Sequence, residues 1–501
     1  MKLFAVLTAF GAAVGGFLFG YEIGVVSQVL SMDAFGLRFG LKINERGADG
    51  ELLAATGAAD ATGWITFTFL IGCVAGAAIV SDFADRFGRK RSLLIGAAIF
   101  VIGVIFQAAA SNFGLLYAGR LISGVGVGVS SQVVPLYISE TAATNVRGRL
   151  ISVYQLMITV GIFIAACVNS GIIASSLSGS ETEWRLALAI QAIPGVLIIL
   201  INSFLPFSPR WLAGKHRDDE AIAALSKLRS ADPNSEEVQT EYNQIREEVK
   251  LQESIGEATW AEVGQRKWLK RVMIGIILQF FQQWTGINVI LYYQNELITK
   301  MGFDPADAKT AFNLAINAIN MVATLPGMYL IERMGRRKLL LFGALGMGIA
   351  QYIVTIALRE AEVKSQPGLA WLAIVAVFVF EIFFASTWGP VVWVYQSEIY
   401  PLRLRSKATG LATISNWANG AIIAKVAPLI NEKAGNFTYL LWGSMALASF
   451  VYTFFFIPET MGKSLEEMDM IFDGSVASAS PSNIDTIDVE GNPEMTHRRK
   501  H

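Results

Sequence analysis

Long apolar stretches alternate with short charged ones along this chain. A helix needs about 20 apolar residues to cross a hydrocarbon core of roughly 30 Å. Stretches of that size fall at about 4–30, 63–81, 93–110, 113–134, 152–175 and 186–205, then at 273–298, 311–331, 339–357, 370–396, 409–430 and 440–457. The pattern predicts an all-α membrane protein with twelve transmembrane helices, an N-terminal six-helix bundle over 1–205 and a C-terminal one over 273–457. Residues 206–272 are too charged for lipid, and Asp218–Arg229 and Glu236–Lys250 read as short helices of a cytoplasmic linker. Residues 458–501 read as a cytoplasmic tail, largely disordered where Ser, Asn, Pro and Asp accumulate. The first span contains Glu22 and lacks a small-residue cleavage site, so it reads as retained. Basic residues crowd alternate loops, among them Arg86–Arg91, Arg147 and Arg149, Arg333–Lys338, and Arg403–Lys407. That bias places both termini and the linker in the cytoplasm.

Composition narrows the function classes. The chain is 53% hydrophobic and 16% charged with a mean hydropathy of +0.47, against about 45–50% and about 25% for soluble domains. Forty basic and 41 acidic residues leave a net charge of −1, so no global field recruits nucleic acid. Cys73 and Cys167 lie in apolar runs, and His216, His497 and His501 in polar ones. This argues against a disulfide scaffold and against a metal site. Gly124-Val-Gly-Val-Gly128 lies inside an apolar span without a flanking strand, which points to close helix packing and not to a phosphate loop. No nucleophile–base set appears, so neither enzyme chemistry nor a cofactor is expected.

The two halves repeat. Asp85-Arg-Phe-Gly-Arg-Lys-Arg91 returns as Glu332-Arg-Met-Gly-Arg-Arg-Lys338, an offset of 332 − 85 = 247. Tyr137-Ile-Ser-Glu140 returns as Tyr395-Gln-Ser-Glu398, an offset of 395 − 137 = 258. Parallel repeats of this kind mark transporters whose halves rock around a midplane site.

At these residues the chain resembles the sugar porter family of the major facilitator superfamily. Phe19-Gly-Tyr-Glu-Ile-Gly24, Gly119-Arg120, Pro135–Glu140, Pro206–Leu212, Gln282-Gln-Trp-Thr-Gly-Ile-Asn288 and Pro458–Glu467 carry the likeness. The resemblance implies the major facilitator fold and monosaccharide transport by alternating access. Position by position it implies sugar ligands at Gln155, Gln282, Gln283, Asn288, Asn320, Trp393 and Asn416, with Tyr292, Trp417 and Phe384 lining the cavity. Phe207 stands where the family often carries Glu. Ala385 and Ile162 stand where some members carry Glu and Gln, which leaves hexose, pentose and polyol open.

The residue types fit that task. A side-chain amide both donates and accepts without a charge to desolvate, and an aromatic ring suits the apolar sugar face. At about 100° per residue, Asn288 lies roughly 240° from Gln282 and 140° from Gln283. A straight helix cannot aim all three at one point, so a break at Gly286 is expected.

Charge inside a span is costly and functional by default. Glu22 and Arg120 both lie roughly 10–13 Å below the outer surface at about 1.5 Å per residue. They are expected to pair, with protonation of Glu22 releasing Arg120 and coupling a proton to the sugar. If the pair is static, the same cavity serves a uniporter; a non-transporting sugar receptor is a third reading. Glu381 is expected to bond a neighbouring helix and Lys425 to reach outward, against a sharper alternative in which the two pair. Asp85, Arg89, Glu140 and Arg147, with Glu332, Arg336, Glu398 and Arg405, are expected to form a cytoplasmic gate. The partners implied are a monosaccharide, a proton and the lipid bilayer. The setting implied is a plasma membrane, and a monomer suffices.

Overall fold

The computed structural model describes residues 3–47, 52–142, 147–256, 259–359, 367–401 and 404–463, with 468, 471 and 472. Six helices form the first set: α1 Leu3–Val29, α2 Ala58–Phe87, α3 Arg89–Ala108, α4 Phe113–Thr141, α5 Arg147–Ile173 and α6 Glu181–Phe204. Six form the second: α7 Arg266–Lys300, α8 Pro305–Met334, α9 Arg336–Arg359, α10 Pro367–Ile399, α11 Arg405–Ala434 and α12 Thr438–Phe456. The helices outrun the apolar stretches that mark them. Arg266, Arg405 and Glu181 begin helices ahead of the apolar stretches, because backbone hydrogen bonding does not depend on apolar side chains. Among the described residues, eleven helices are long and apolar enough to span a membrane on composition. The twelfth, α11, carries Asn416, Asn419 and Lys425 along its length, which lowers its hydropathy without shortening its 30 residues.

Within the first half, α1 lies on α5, and α4 packs against α2 and α3. The small-residue run of α4 makes this possible. A Cβ at Gly124 would stand 2.1 Å from the Phe69 carbonyl oxygen, and one at Gly128 2.2 Å from that of Cys73. Backbone therefore touches backbone, the close approach that membrane helices use in place of a hydrophobic drive. The repeated basic loops reverse the chain at Gly88 and Gly335, each with φ of +89°, a conformation that glycine adopts without strain. The broadest seams between the halves are α2 against α11 and α5 against α8, with α1 meeting α7 beside them.

The linker folds into helices Pro209–Gly214, Asp218–Arg229, Glu236–Ile255 and Trp260–Val263. It buries Trp211, Leu225, Val238 and Ile245 among themselves and is fixed to the first half by Arg229 donating to the Thr141 carbonyl at 3.2 Å. Phe207 stacks on Trp211 at 5.5 Å and receives Lys90, Arg91 and Arg217 over its ring at 5.3, 5.5 and 5.8 Å. Cation–π contact stands there in place of a carboxylate. A cap that hydropathy does not foretell, a helix at Asp33–Arg38 and a hairpin of Lys42–Arg46 with Leu52–Ala54, follows α1 in the first half. The tail expected to be disordered, 473–501, lies outside the described residues.

Candidate functional site

The site begins with a broken helix. α7 ends a first segment at Trp284 and resumes at Ile287, and Gly286 between them has φ of +87°. Any larger residue would also strike the Trp442 ring, whose Cγ stands 2.8 Å from the position of an added Cβ. The break turns Asn288 back toward its neighbours, so Asn288 Nδ2 donates to Gln283 Oε1. A straight helix would not allow this.

From there the amides form one network. Gln283 Nε2 donates to Asn416 Oδ1 at 2.9 Å, and Asn416 Nδ2 donates to Gln282 Oε1 at 2.7 Å and to Gln279 Oε1 at 2.5 Å. Gln279 Nε2 continues to Gln396 Oε1 at 2.9 Å. Gln282 Nε2 reaches the Trp388 carbonyl at 2.9 Å. That carbonyl ends a π-helical turn over Phe384–Trp388, where a slipped hydrogen-bond ladder puts a main-chain oxygen within reach of a side chain. Gln279 and Gln396 were not among the residues expected from sequence. Gln279 carried a readable signal, since it precedes Gln282 by three positions and shares its face.

A cavity of about 50 Å³ lies between the halves, room for a few water-sized groups. All ten residues expected to hold or flank a sugar line it: Gln155, Gln282, Gln283, Asn288, Tyr292, Asn320, Phe384, Trp393, Asn416 and Trp417. Phe19, Ile23, Ile158, Thr159 and Ile162 complete the wall on the side of the first half. Trp417 meets Phe19 edge-on at 4.8 Å and donates to Ser131 Oγ at 3.0 Å, tying the second half to the first.

Glu22 sits on α1 between the lining residues Phe19 and Ile23. It is fully buried at 0% exposure and pairs with Arg120 at 2%. Arg120 also donates to the Ile65 carbonyl at 3.1 Å and lies over the Phe69 ring at 4.8 Å. Glu22 Oε2 has no hydrogen-bond partner among the described residues. The charge on Glu22 is thus balanced by one cation on a different helix, an arrangement that protonation would release.

The other two intramembrane charges do not meet. Glu381 accepts from Asn320 Nδ2 at 2.7 Å. Lys425 pairs with Asp60 in the first turn of α2 and lies over Trp64 at 4.3 Å. The sharper alternative of a Glu381–Lys425 pair is therefore corrected: the two belong to different neighbours.

At the end of the molecule that carries the repeated basic loops, Arg89 binds Glu140 at 2.8 Å and Asp85 at 3.0 Å. Arg336 matches it in the second half, with Glu398 at 2.8 Å and Glu332 at 3.5 Å. Arg405 donates to the Tyr400 carbonyl at 3.4 and 3.3 Å, and the side chain of Arg147 lies outside the described residues. Each of these bridges stays inside its own half, because the repeated motif places its Arg and Glu on neighbouring helices of one unit. The link that crosses between halves is Lys407 with Asp82 at 3.1 Å, beside Gln132 donating to the Ser406 carbonyl at 3.3 Å.

A family model described as "Sugar (and other) transporter" matches residues 8–472. The low-affinity glucose transporter HXT3 of Saccharomyces cerevisiae is 36% identical over 488 residues, 95% of this chain and 83% of that protein. The glucose transporter GlcP of Staphylococcus epidermidis is 33% identical over 459 residues, 91% of this chain and 95% of its own. Among solved structures, the proton:xylose symporter XylE bound to 6-bromo-6-deoxy-D-glucose aligns with a TM-score of 0.79 at 28% identity, over 94% of this chain and 99% of that one. The inward-open form of XylE from E. coli aligns at 0.72 and 29% identity, over 92% and 98%.

Proposed function

The chain belongs to the sugar transporter family, and from that membership and the cavity we propose that it carries a monosaccharide, a hexose or pentose, in symport with a proton. It is a multi-pass integral membrane protein that moves sugar by alternating access of two six-helix bundles. The observation that carries the sugar reading is the convergence of six amides and five aromatic rings on one cavity between the halves. The proton reading rests on Glu22, buried against Arg120 between two cavity residues. With Glu22 ionised the pair holds α1 to α4; protonation frees Arg120 and lets the first half move. The names of the relatives fit both parts, glucose in the yeast and staphylococcal proteins and proton:xylose symport in XylE.

The bundles are taken as 1–205 and 273–457, joined by the 206–272 linker, with a cytoplasmic tail from 458. The alternation of basic loops supports cytoplasmic termini, and uptake from the medium calls for the plasma membrane. A single chain encloses the whole cavity, so a monomer suffices.

Uptake of labelled D-glucose and D-xylose into proteoliposomes tests this. Accumulation above the outside concentration is expected only when the outside is acidic. Equilibration without accumulation would identify a uniporter, and saturable binding without flux a receptor.

A further inference from the structure

Glu381 is a carboxyl group that the scheme above does not use. It lies near the middle of α10, fully buried at 0% exposure, with one oxygen bonded by Asn320 and Oε1 without any hydrogen-bond partner among the described residues. No cation pairs with it among the described residues. α10 packs on α8 and α9, and both keep their charges at their ends. α8 carries Asp307 and Lys309 at one end and Glu332 and Arg333 at the other. Lys309 is 11 residues from Asn320 and Glu332 is 12, about 16 and 18 Å at 1.5 Å per residue. α9 has Arg336, Arg337, Lys338 and Arg359 at its ends. Its interior titratable group, Tyr352, bonds Ser444 of α12 at 3.1 Å, and Tyr329 of α8 is exposed. On α10 itself, Glu398 and Tyr395 stand more than three turns away on the cytoplasmic side.

Glu381 is also one contact from the sugar. Asn320, its partner, lines the cavity, as does Phe384 one turn along α10. We propose that Glu381 is a second proton-binding site, coupled to the sugar through Asn320. This rests on the sugar-transport reading above.

An ionised carboxylate enclosed away from water and cations is strongly disfavoured, so the closed arrangement holds the carboxylic acid. The acid's carbonyl oxygen takes the Asn320 N–H, which leaves the Asn320 carbonyl oxygen as the acceptor offered to a sugar hydroxyl. When the cavity opens and water reaches the carboxyl, the proton leaves to water and the carboxylate is hydrated. Closing around the sugar takes one proton back from water onto the carboxylate, with no other bond made or broken. Sugar binding is therefore tightest where Glu381 is protonated, and it weakens as pH rises.

Binding of D-glucose and D-xylose to the purified full chain across pH 5 to 9 tests this in wild type and Glu381→Gln, whose neutral amide imitates the protonated acid. Wild-type affinity is expected to fall at least tenfold toward alkaline pH, and E381Q to lose most of that fall. Sugar binding with the same pH profile in E381Q would overturn the assignment of Glu381 and leave the transport reading intact. Absence of binding of either sugar by wild type would remove both. Should E381Q not fold, calorimetry of the wild type in buffers of different ionisation heat counts protons taken up per sugar. A maximum above one across the pH range supports two sites, and a maximum of one or less overturns the second.

Discussion

The N-terminal half holds one buried charged pair beside the cavity, Glu22 with Arg120. The C-terminal half holds a chain of uncharged amides running from Asn288 to Gln396. Both solve the same problem, since an unpartnered polar group is costly in a dry interior. They differ in what can undo them. A carboxylate–guanidinium pair changes state when one proton binds, whereas an amide network exchanges partners only with a ligand that offers hydroxyls of its own. At the cavity the first half thus offers a pair that a proton can release and the second an amide network that a sugar can enter, with the carboxyl of Glu381 set behind Asn320. Trp417 on Ser131 ties the two halves together.

The comparison breaks most visibly at the charged pair. Removing one partner of a buried pair costs about 3–5 kcal/mol, so Glu22→Gln should lower the melting temperature in detergent more than any amide substitution. It should also abolish gradient-driven accumulation. Arg120→Gln is expected to be milder in stability, because a lone carboxyl can neutralise itself by taking a proton while a lone guanidinium stays charged. Equal losses in the two variants would mean that the pair acts as a fixed brace and has no part in proton coupling.

The amide side should fail differently. Asn416 both accepts from Gln283 and donates to Gln279 and Gln282. Asn416→Ala therefore strands three buried amides, each at about 1–3 kcal/mol. Water in the cavity relieves part of this in the empty protein, so the loss should appear in sugar recognition. A rise in KM of about 10- to 100-fold is expected, roughly 1.4–2.7 kcal/mol, with a smaller fall in melting temperature than E22Q gives. A collapse of folding with KM unchanged would make the network structural and erase the contrast between halves.

Much of this could be read from the chain before any coordinates. The break at Gly286 followed from the angular positions of Gln282, Gln283 and Asn288, and the pairing of Glu22 with Arg120 followed from their equal depth. What was hidden depended on which helices become neighbours. Spacing along α10 places Glu381 on a face but cannot say that Asn320 of α8 will be opposite it. The same holds for Lys425, whose partner Asp60 lies 365 positions earlier in the chain. The π-helical turn at Phe384–Trp388 left no mark either, because a slipped ladder has the same apolar composition as a regular one. The basic motifs were legible as ion pairs, yet not as pairs confined to one half. Repetition reveals two copies of a unit and says nothing of which copy a side chain addresses.

The smallest expected effects lie at the seam where α2 and α11 run side by side, clasped by Asp60–Lys425 at the end proposed as outer and by Asp82–Lys407 at the end proposed as inner. Both acids are more than half exposed, at 53% and 65% of the side chain, so each pair contributes at most about 1 kcal/mol. A rocking transporter cannot keep both ends closed while it exchanges sugar on either side. Asp60→Asn should favour opening outward and Asp82→Asn opening inward, each shifting the balance by less than about fivefold. Apparent affinity for sugar added outside should then improve in D60N and worsen in D82N, and both shifts should shrink as salt is raised. Shifts of the same sign would mean that the clasps merely stiffen the seam, and the division of labour between the halves would then rest on the cavity and the buried pair alone.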